Sequence, residues 1–339
     1  MRNFQKDNRG IALLLAVLVM GVLVAVALHF NVSMRLDLMA SGRTEKGIKT
    51  SALAKSGLHI AVAALYEDGK QSDIDTVREP WAKIQALGLY SGVLFAEGGC
   101  EVKISDHCGR INVNRILDSE GKPDPKQRAL LQRLLGERRF GIDSEEISGL
   151  LDAITDWLDE DDQITGFGAE SSYYLSLANP YQCKNGQMDS LEELLLIRGV
   201  TREIYFGTDE RPGISSFLTI HGDGRININT AGEAVLFALS EQIDRDMAER
   251  MVLFRAEEGN DLGEASWYKQ VSGMGHVVID SALIKTASDY FEITSRGMLD
   301  KMSKTIKATV KRVPKENPSV LSLKVVNPVS DVGIIGSTP

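Results

Sequence analysis

Residues 11–30 form a run of twenty without a formal charge, marked only by the imidazole of His29. At 1.5 Å per residue, a helix of that length is about 30 Å long, the thickness of a bilayer's hydrocarbon core. Ahead of it lie Arg2, Lys6 and Arg9 against Asp7, a net of +2. A basic short side predicts that this end stays cytoplasmic while the rest of the chain crosses outward. The run exceeds the apolar segment of an ordinary secretory signal. It ends Leu28-His29-Phe30-Asn31, with no small-x-small cleavage site. Gly10 stands at the junction of basic leader and apolar helix. Beyond Arg35 and Asp37, the residues Ile48, Ala52, Leu58, Ala61, Val62 and Leu65 keep a period near 3.6, so the helix is expected to continue to residue 66. Gly42, Gly47 and Gly57 weaken it, each by about 1 kcal/mol relative to Ala.

The remaining length suits two modest domains; the whole chain has 339 residues, 43% of them hydrophobic and 25% charged. A net charge of −9 argues against a phosphate backbone as partner. P-loop, His-Glu-x-x-His and Gly-x-Ser-x-Gly signatures are all missing from the sequence, and His107 beside Cys108 reads as an incidental pair, so no catalytic residues are assigned. Cys100, Cys108 and Cys183 are too few for a disulfide scaffold and lack zinc spacing. In an exported head, Cys100 and Cys108 are the disulfide candidate, with other pairings through Cys183 left open.

Short strands are expected at 101–105, after the Gly98-Gly99 turn, and at 290–296 and 304–312. Between them the spacing is helical over 127–135, 144–158, 190–197, 231–239 and 244–257. Asp143 or Ser144 with Glu146, and Ser190 with Glu193, read as caps. The chain is therefore α+β, with a helical domain set into a small sheet. Gly109-Arg110-Ile111-Asn112-Val113-Asn114 recurs as Gly224-Arg225-Ile226-Asn227-Ile228-Asn229, and Asn114 and Asn229 are the expected N-caps. The second copy continues as Thr230-Ala231 in the manner of a helix-hairpin-helix unit, with hairpins at 196–200 and 271–275. Glu192, Glu193, Glu257, Glu258, Asp261 and Glu264 surround them, which favours protein packing over DNA. A membrane-anchored periplasmic DNA-binding protein is the alternative reading.

The densest chemistry is Asp152, Asp156, Asp159, Glu160, Asp161 and Asp162, six carboxylates in eleven residues, followed by Gly166, Gly168 and Glu170. Carboxylates at a helix C-terminus oppose its dipole and invite a cation. Hard oxygen ligands in a Gly-containing loop suit Ca²⁺, and Asp156, Asp159, Asp161, Asp162 and Glu170 are the candidate ligands. A solvated acidic turn is the other reading. A glycosidase-type carboxylate pair lacks a matching site downstream.

Several motifs together resemble one family. They are Leu150-Leu151-Asp152-Ala153-Ile154-Thr155-Asp156-Trp157-Leu158-Asp159, Gly168-Ala169-Glu170, Tyr173-Tyr174, Leu191-Glu192-Glu193-Leu194 and Arg198-Gly199-Val200. With the Ile-Asn-Ile-Asn-Thr-Ala copy, the Gly10 leader and Leu15, they resemble the K-type minor pseudopilin of the type II (general) secretion pathway, from Arg9 to about Arg312. The resemblance implies a pseudopilin fold: a long N-terminal helix on a small antiparallel sheet, with a large inserted helical domain of SAM-like or helix-hairpin-helix-like units. It divides the chain into a prepilin leader (1–10), the N-terminal helix (11–66), the first part of the sheet (67–118), the inserted domain (119–285) and the last strands (286–313); residues 314–339 fall beyond the resemblance, and their Pro and Ser content predicts a flexible tail. A prepilin peptidase would cut between Gly10 and Ile11, with methylation of the new terminus, and the mature charge would move from −9 to −11. Most pilins and pseudopilins carry Glu at the fifth mature position; here it is Leu15, a departure that fits a subunit at the filament end. The resemblance further implies a single-pass inner-membrane protein with a periplasmic head and calcium in the inserted domain. Its partners would be I-, J- and H-type subunits and the inner-membrane assembly platform.

Overall fold

The computed structural model describes residues 9–85, 94–313 and 315–326. The first helix, α1 (Arg9–Gln71), is one unbroken rod of 63 residues, about 95 Å long. It starts two residues before the expected boundary and ends five after it. The leader, apart from Arg9 and Gly10, lies outside the described residues. Every residue from Gly10 to Ser41 is exposed, including Ile11 and Leu15, and packing begins only at Thr50. From there Ala54, Leu58, Ala61 and Leu65 form a buried stripe at helical spacing. Gly57 is required on that stripe: a Cβ would strike the side chains of Ser295, Val102 and Cys100. The counterpart across the contact is Gly297, which abuts the α1 backbone at Thr50 and Ala54.

Strand β1 (Gly99–Asp106) follows Gly98, whose φ of +74° allows the turn. The chain then leaves the sheet for a helical body with its own hydrophobic core, spanning Ile111 to Ile284. That body consists of two units built on one plan. The first runs β2 (Ile111–Asn112), α2 (Pro125–Leu135), α3 (Ser144–Leu158), α4 (Ser171–Tyr174), a 3-10 turn (Leu191–Leu196), α5 (Arg202–Phe206) and β3 (Leu218–Thr219). The second runs β4 (Ile226–Asn227), α6 (Glu233–Ala238), α7 (Arg245–Ala256), a 3-10 turn (Ala265–Gln270) and β5 (Ile284–Lys285). In each unit the first strand pairs in parallel with the last.

The repeated Ile-Asn-x-Asn motif staples each unit. Asn112 and Asn227 act as the local caps, accepting from the backbone N–H of Asn114 and Asn229. The expected caps, Asn114 and Asn229, are instead buried cross-ties. Asn114 donates to the Met188 and Ile220 carbonyls, and Asn229 to those of Leu262 and Thr286, at equivalent places in the two units. An amide supplies donor and acceptor together, so it can bridge two backbones that a helix cap alone would leave unsatisfied. The capping boxes at Asp143/Glu146 and Ser190/Glu193 are both present. The segment expected at 231–239 begins later, because Thr230 and Ala231 turn back onto the Asn227 carbonyl.

The chain returns in β6 (Tyr290–Leu299), β7 (Met302–Lys311) and β8 (Ser319–Val326), giving an antiparallel sheet in the order β1-β6-β7-β8. Val102, Ile104, Phe291, Ile293, Ile306, Ala308 and Val310 face α1 in a second core, where Trp81 meets Phe291 edge-on at 5.2 Å. Strand β8 corrects the expected flexible tail. The tail's Pro and Ser content suggested a loose segment, yet Val320, Leu321, Leu323, Val325 and Val326 have strong strand propensity and add a fourth strand to the edge. The two cores meet at a buried polar hub. Asp106 accepts from Thr230, Ser288, Asn227 and the Cys108 N–H, and burial raises its pKa.

Candidate metal centre

Helix α3 ends against its own continuation. Asp156, in the last turn, is fully buried; Asp159 is the C-cap; Glu170 precedes α4 and is 1% exposed. One carboxylate oxygen from each of Asp156, Asp159 and Glu170 lies within 4.8 Å of the others. Asp156 Oδ1 accepts from the Thr165 N–H at 2.9 Å. Its Oδ2, one oxygen of Asp159 and both of Glu170 are buried without a hydrogen bond of normal geometry, the Cys183 thiol beside Glu170 being only a weak donor. Burial raises Asp156. It raises Asp159 to about 6, helped by the charges of Asp161 and Asp156, and Glu170 to about 7, helped by Asp156 and Asp159.

The neighbouring cations are engaged elsewhere. Arg128 holds Asp152 at 2.6 Å, Lys184 holds Asp189 and Glu193, and Arg198 donates to the Gly168 carbonyl and lies over Tyr173. Three carboxylates with orphaned buried oxygens form a hard, anionic donor set. Their separations, no more than about twice a Ca²⁺–O distance, let one divalent cation reach all three. Gly166 and Gly168 serve close approach: a Cβ at either would run into the carboxylates of Asp152 and Asp156 respectively.

Of the five candidate ligands, the fold brings together Asp156, Asp159 and Glu170. Asp161 and Asp162 lie outside the cluster, exposed, where they accept from the Gln163 N–H and from Asn185. Sequence reasoning missed Asn185. It sits at φ 47°, ties to the Asp161 carbonyl, and leaves a buried Oδ1 without a partner. Its distance along the chain hid it, although an Asn-Gly pair is a recognisable turn signal.

All three cysteines are free and buried. Cys100 opens β1 and Cys108 lies just beyond its end. An extended strand of that length separates them by about 20 Å, far beyond disulfide reach, so the Cys100–Cys108 expectation is corrected. His107 Nδ1 pairs with Thr219 Oγ1, burial pushes the imidazole well below its usual range, and burial raises the Cys108 thiol to about 11. That pair is no nucleophile. Near the helix hairpins, Arg198 and Arg250 bond to backbone carbonyls, which leaves them poorly placed for phosphate.

Two family models, both described as type II secretion system (T2SS), protein K, match residues 109–207 and 226–286, one on each repeated unit. The type II secretion system protein K of Pseudomonas aeruginosa is 27% identical over 317 residues, covering 91% of this chain and 90% of that protein. Its namesake from Aeromonas hydrophila is 26% identical over 303 residues, covering 84% and 86%. A chain of the GspK-GspI-GspJ complex from the enterotoxigenic Escherichia coli type 2 secretion system superposes with a TM-score of 0.66 at 17% identity, covering 85% of this chain and 99% of that one. With long helix, four-stranded sheet and paired helical units in place, and with similarity to protein K along nine tenths of its length, the chain is a minor pseudopilin of the type II secretion system, a part that builds rather than catalyses.

Proposed function

We propose that the chain works at the tip of the type II secretion pseudopilus, where it starts or caps assembly for export of folded proteins across the outer membrane. The observation that carries this reading is α1: exposed and apolar over 11–30, then packed on the sheet only from Thr50. Such a helix is held in lipid at one end and offers its free length to a bundle of partner helices. The inner membrane is its place, with the head in the periplasm. A head of two cores leaves little room for a subunit stacked above it. Leu15 adds to this, since a helix lacking a buried carboxylate needs no neighbour's N-terminus to neutralise it. The partners are I- and J-type subunits, in keeping with the complex to which the fold is similar, with an H-type subunit below and the assembly platform at the base.

Maturation removes the leader between Gly10 and Ile11 by a prepilin peptidase, followed by methylation. Calcium occupies the Asp156–Asp159–Glu170 cluster in a structural role, closing the long segment between α3 and the 3-10 turn at Leu191–Leu196. The second unit makes the corresponding turn in a few residues and needs no staple; there Asn260 caps the end of α7 through the Phe254 carbonyl. Intact mass of the membrane-extracted protein tests the maturation step. Loss of ten residues only when the peptidase is present supports it, and an intact terminus in both strains refutes it. Gly10→Ala is expected to block the cut.

A further inference from the structure

Phe167 is 76% exposed, more than any other large apolar side chain among the described residues, the lipid-facing ones included. Its backbone is nonetheless pinned. The Phe167 N–H donates to Asp152 Oδ2 at 2.9 Å, and Asp152 is held by Arg128. On either side, the Thr165 N–H donates to Asp156, and the Gly168 carbonyl accepts from Arg198. Ile164, 56% exposed, shares the loop. An aromatic ring in water on a fixed backbone gains nothing for the fold, but it loses little conformational freedom when a pocket takes it up.

The surroundings set what that pocket looks like. Glu160, Asp161 and Asp162 are exposed at the base of the loop, and Glu145 lies one helical turn before Gly149, whose Cα is beneath Phe167. The two cations close by are both committed, Arg128 to Asp152 and Arg198 to Gly168 and Tyr173. We propose that the Ile164–Phe167 loop is a docking knob for a second protein, one that offers an apolar pocket rimmed by Lys or Arg side chains. An anionic bilayer would be repelled by the same rim. This inference stands apart from the calcium reading, because the hydrogen bonds that hold the loop come from the protein.

The test places the photoreactive p-benzoylphenylalanine at position 167 of the full-length protein in cells, with position 278, where Val278 is 67% exposed, as control. A discrete protein adduct at 167 and not at 278 is expected. Peptide mapping should locate it in an apolar pocket flanked by basic residues, and raised salt in spheroplasts should lower its yield severalfold. Phe167→Ala is expected to cut yield from a second probe at position 164 about tenfold while the melting temperature stays unchanged. Lipid adducts, adducts between two copies of this chain, a smear equal to the control, or a mapped site without basic side chains would each overturn the proposal.

Discussion

Two clusters of three carboxylates sit in the same molecule, and among the described residues the chain supplies a counter-charge to only one of them. At the junction of the two cores, Asp68, Asp75 and Glu79 come together, and Arg312 reaches in from the end of β7. It bonds Asp68 at 2.6 Å and both oxygens of Asp75 at 2.6 and 2.5 Å, while Glu79 accepts from Trp81 and the Thr76 N–H. Burial raises Asp68 to about 6 and Asp75 to about 7, with the guanidinium pulling the other way. At the end of α3, the cluster of Asp156, Asp159 and Glu170 has no guanidinium or ammonium of its own among the described residues. A cation built into the chain makes a joint that is always closed. A cation taken from solution makes one that is closed only where that ion is abundant.

The largest expected effect separates the two clusters directly. Arg312→Met leaves Asp68 and Asp75 buried with no counter-charge and is expected to cost about 3–5 kcal/mol of stability, calcium present or not. Urea denaturation of the full-length protein in micelles reads it. A loss under about 1 kcal/mol would mean that water already shares that junction.

Next in size is the ion itself. Saturating calcium at about 100 times Kd is expected to add about 2.7 kcal/mol, and Glu170→Gln should abolish the gain. The same variant should be no less stable than wild type in chelator, because it removes one of three mutually repelling buried charges. A Glu170→Gln protein destabilised equally in both conditions would make Glu170 a cap for α4 and nothing more.

The pH response sharpens the contrast further. In chelator, Asp159 and Glu170 bind protons more tightly in the folded state, at about 6 and about 7, than in the unfolded chain. Their contribution to stability is therefore greatest below about pH 4 and is lost as pH rises towards 7. Calcium bound at the cluster would hold both ionised and should flatten that slope. Asp68 and Asp75 have the same sign of shift but do not meet the ion, so the difference between melting curves with calcium and with chelator isolates the α3 cluster. Parallel curves would remove the calcium reading.

How much of this was legible in the sequence follows from the range of each interaction. The anchor and the capping boxes of α3 and the 3-10 turn at Leu191–Leu196 rest on contacts within a few residues, and strands β1, β6 and β7 show in local alternation even though β1 pairs with the distant β6, so the sequence pattern contains them. The acidic cluster was legible as composition but not as geometry. A helical wheel places Asp156 and Asp159 on related faces, while only the returning loop decides that Glu170 closes the cluster and Asp161 and Asp162 do not. Arg312 pairs with carboxylates 237 and 244 residues away, a separation at which no local pattern survives. The Asn cross-ties failed for a related reason: a cap and a cross-tie use the same residue type, and the partner backbone arrives 74 residues later in one unit and 33 in the other.

The smallest predicted effect concerns the charge left outside the cluster. Asp161 raises Asp159 through space without joining it, and its own side chain is exposed. Asp161→Asn therefore removes an attraction for the ion that water and salt already screen, and weakens calcium binding about two- to threefold at most. Asp159→Asn, which removes an oxygen donor, should cost far more, because a lost ligand is not recovered from solvent at the same geometry. Calorimetric titration of the two variants at two salt concentrations compares them. The Asp161→Asn deficit should shrink as salt rises and the Asp159→Asn deficit should persist. If both shrink together, the site is a diffuse acidic surface and the contrast with the Arg312 cluster fails.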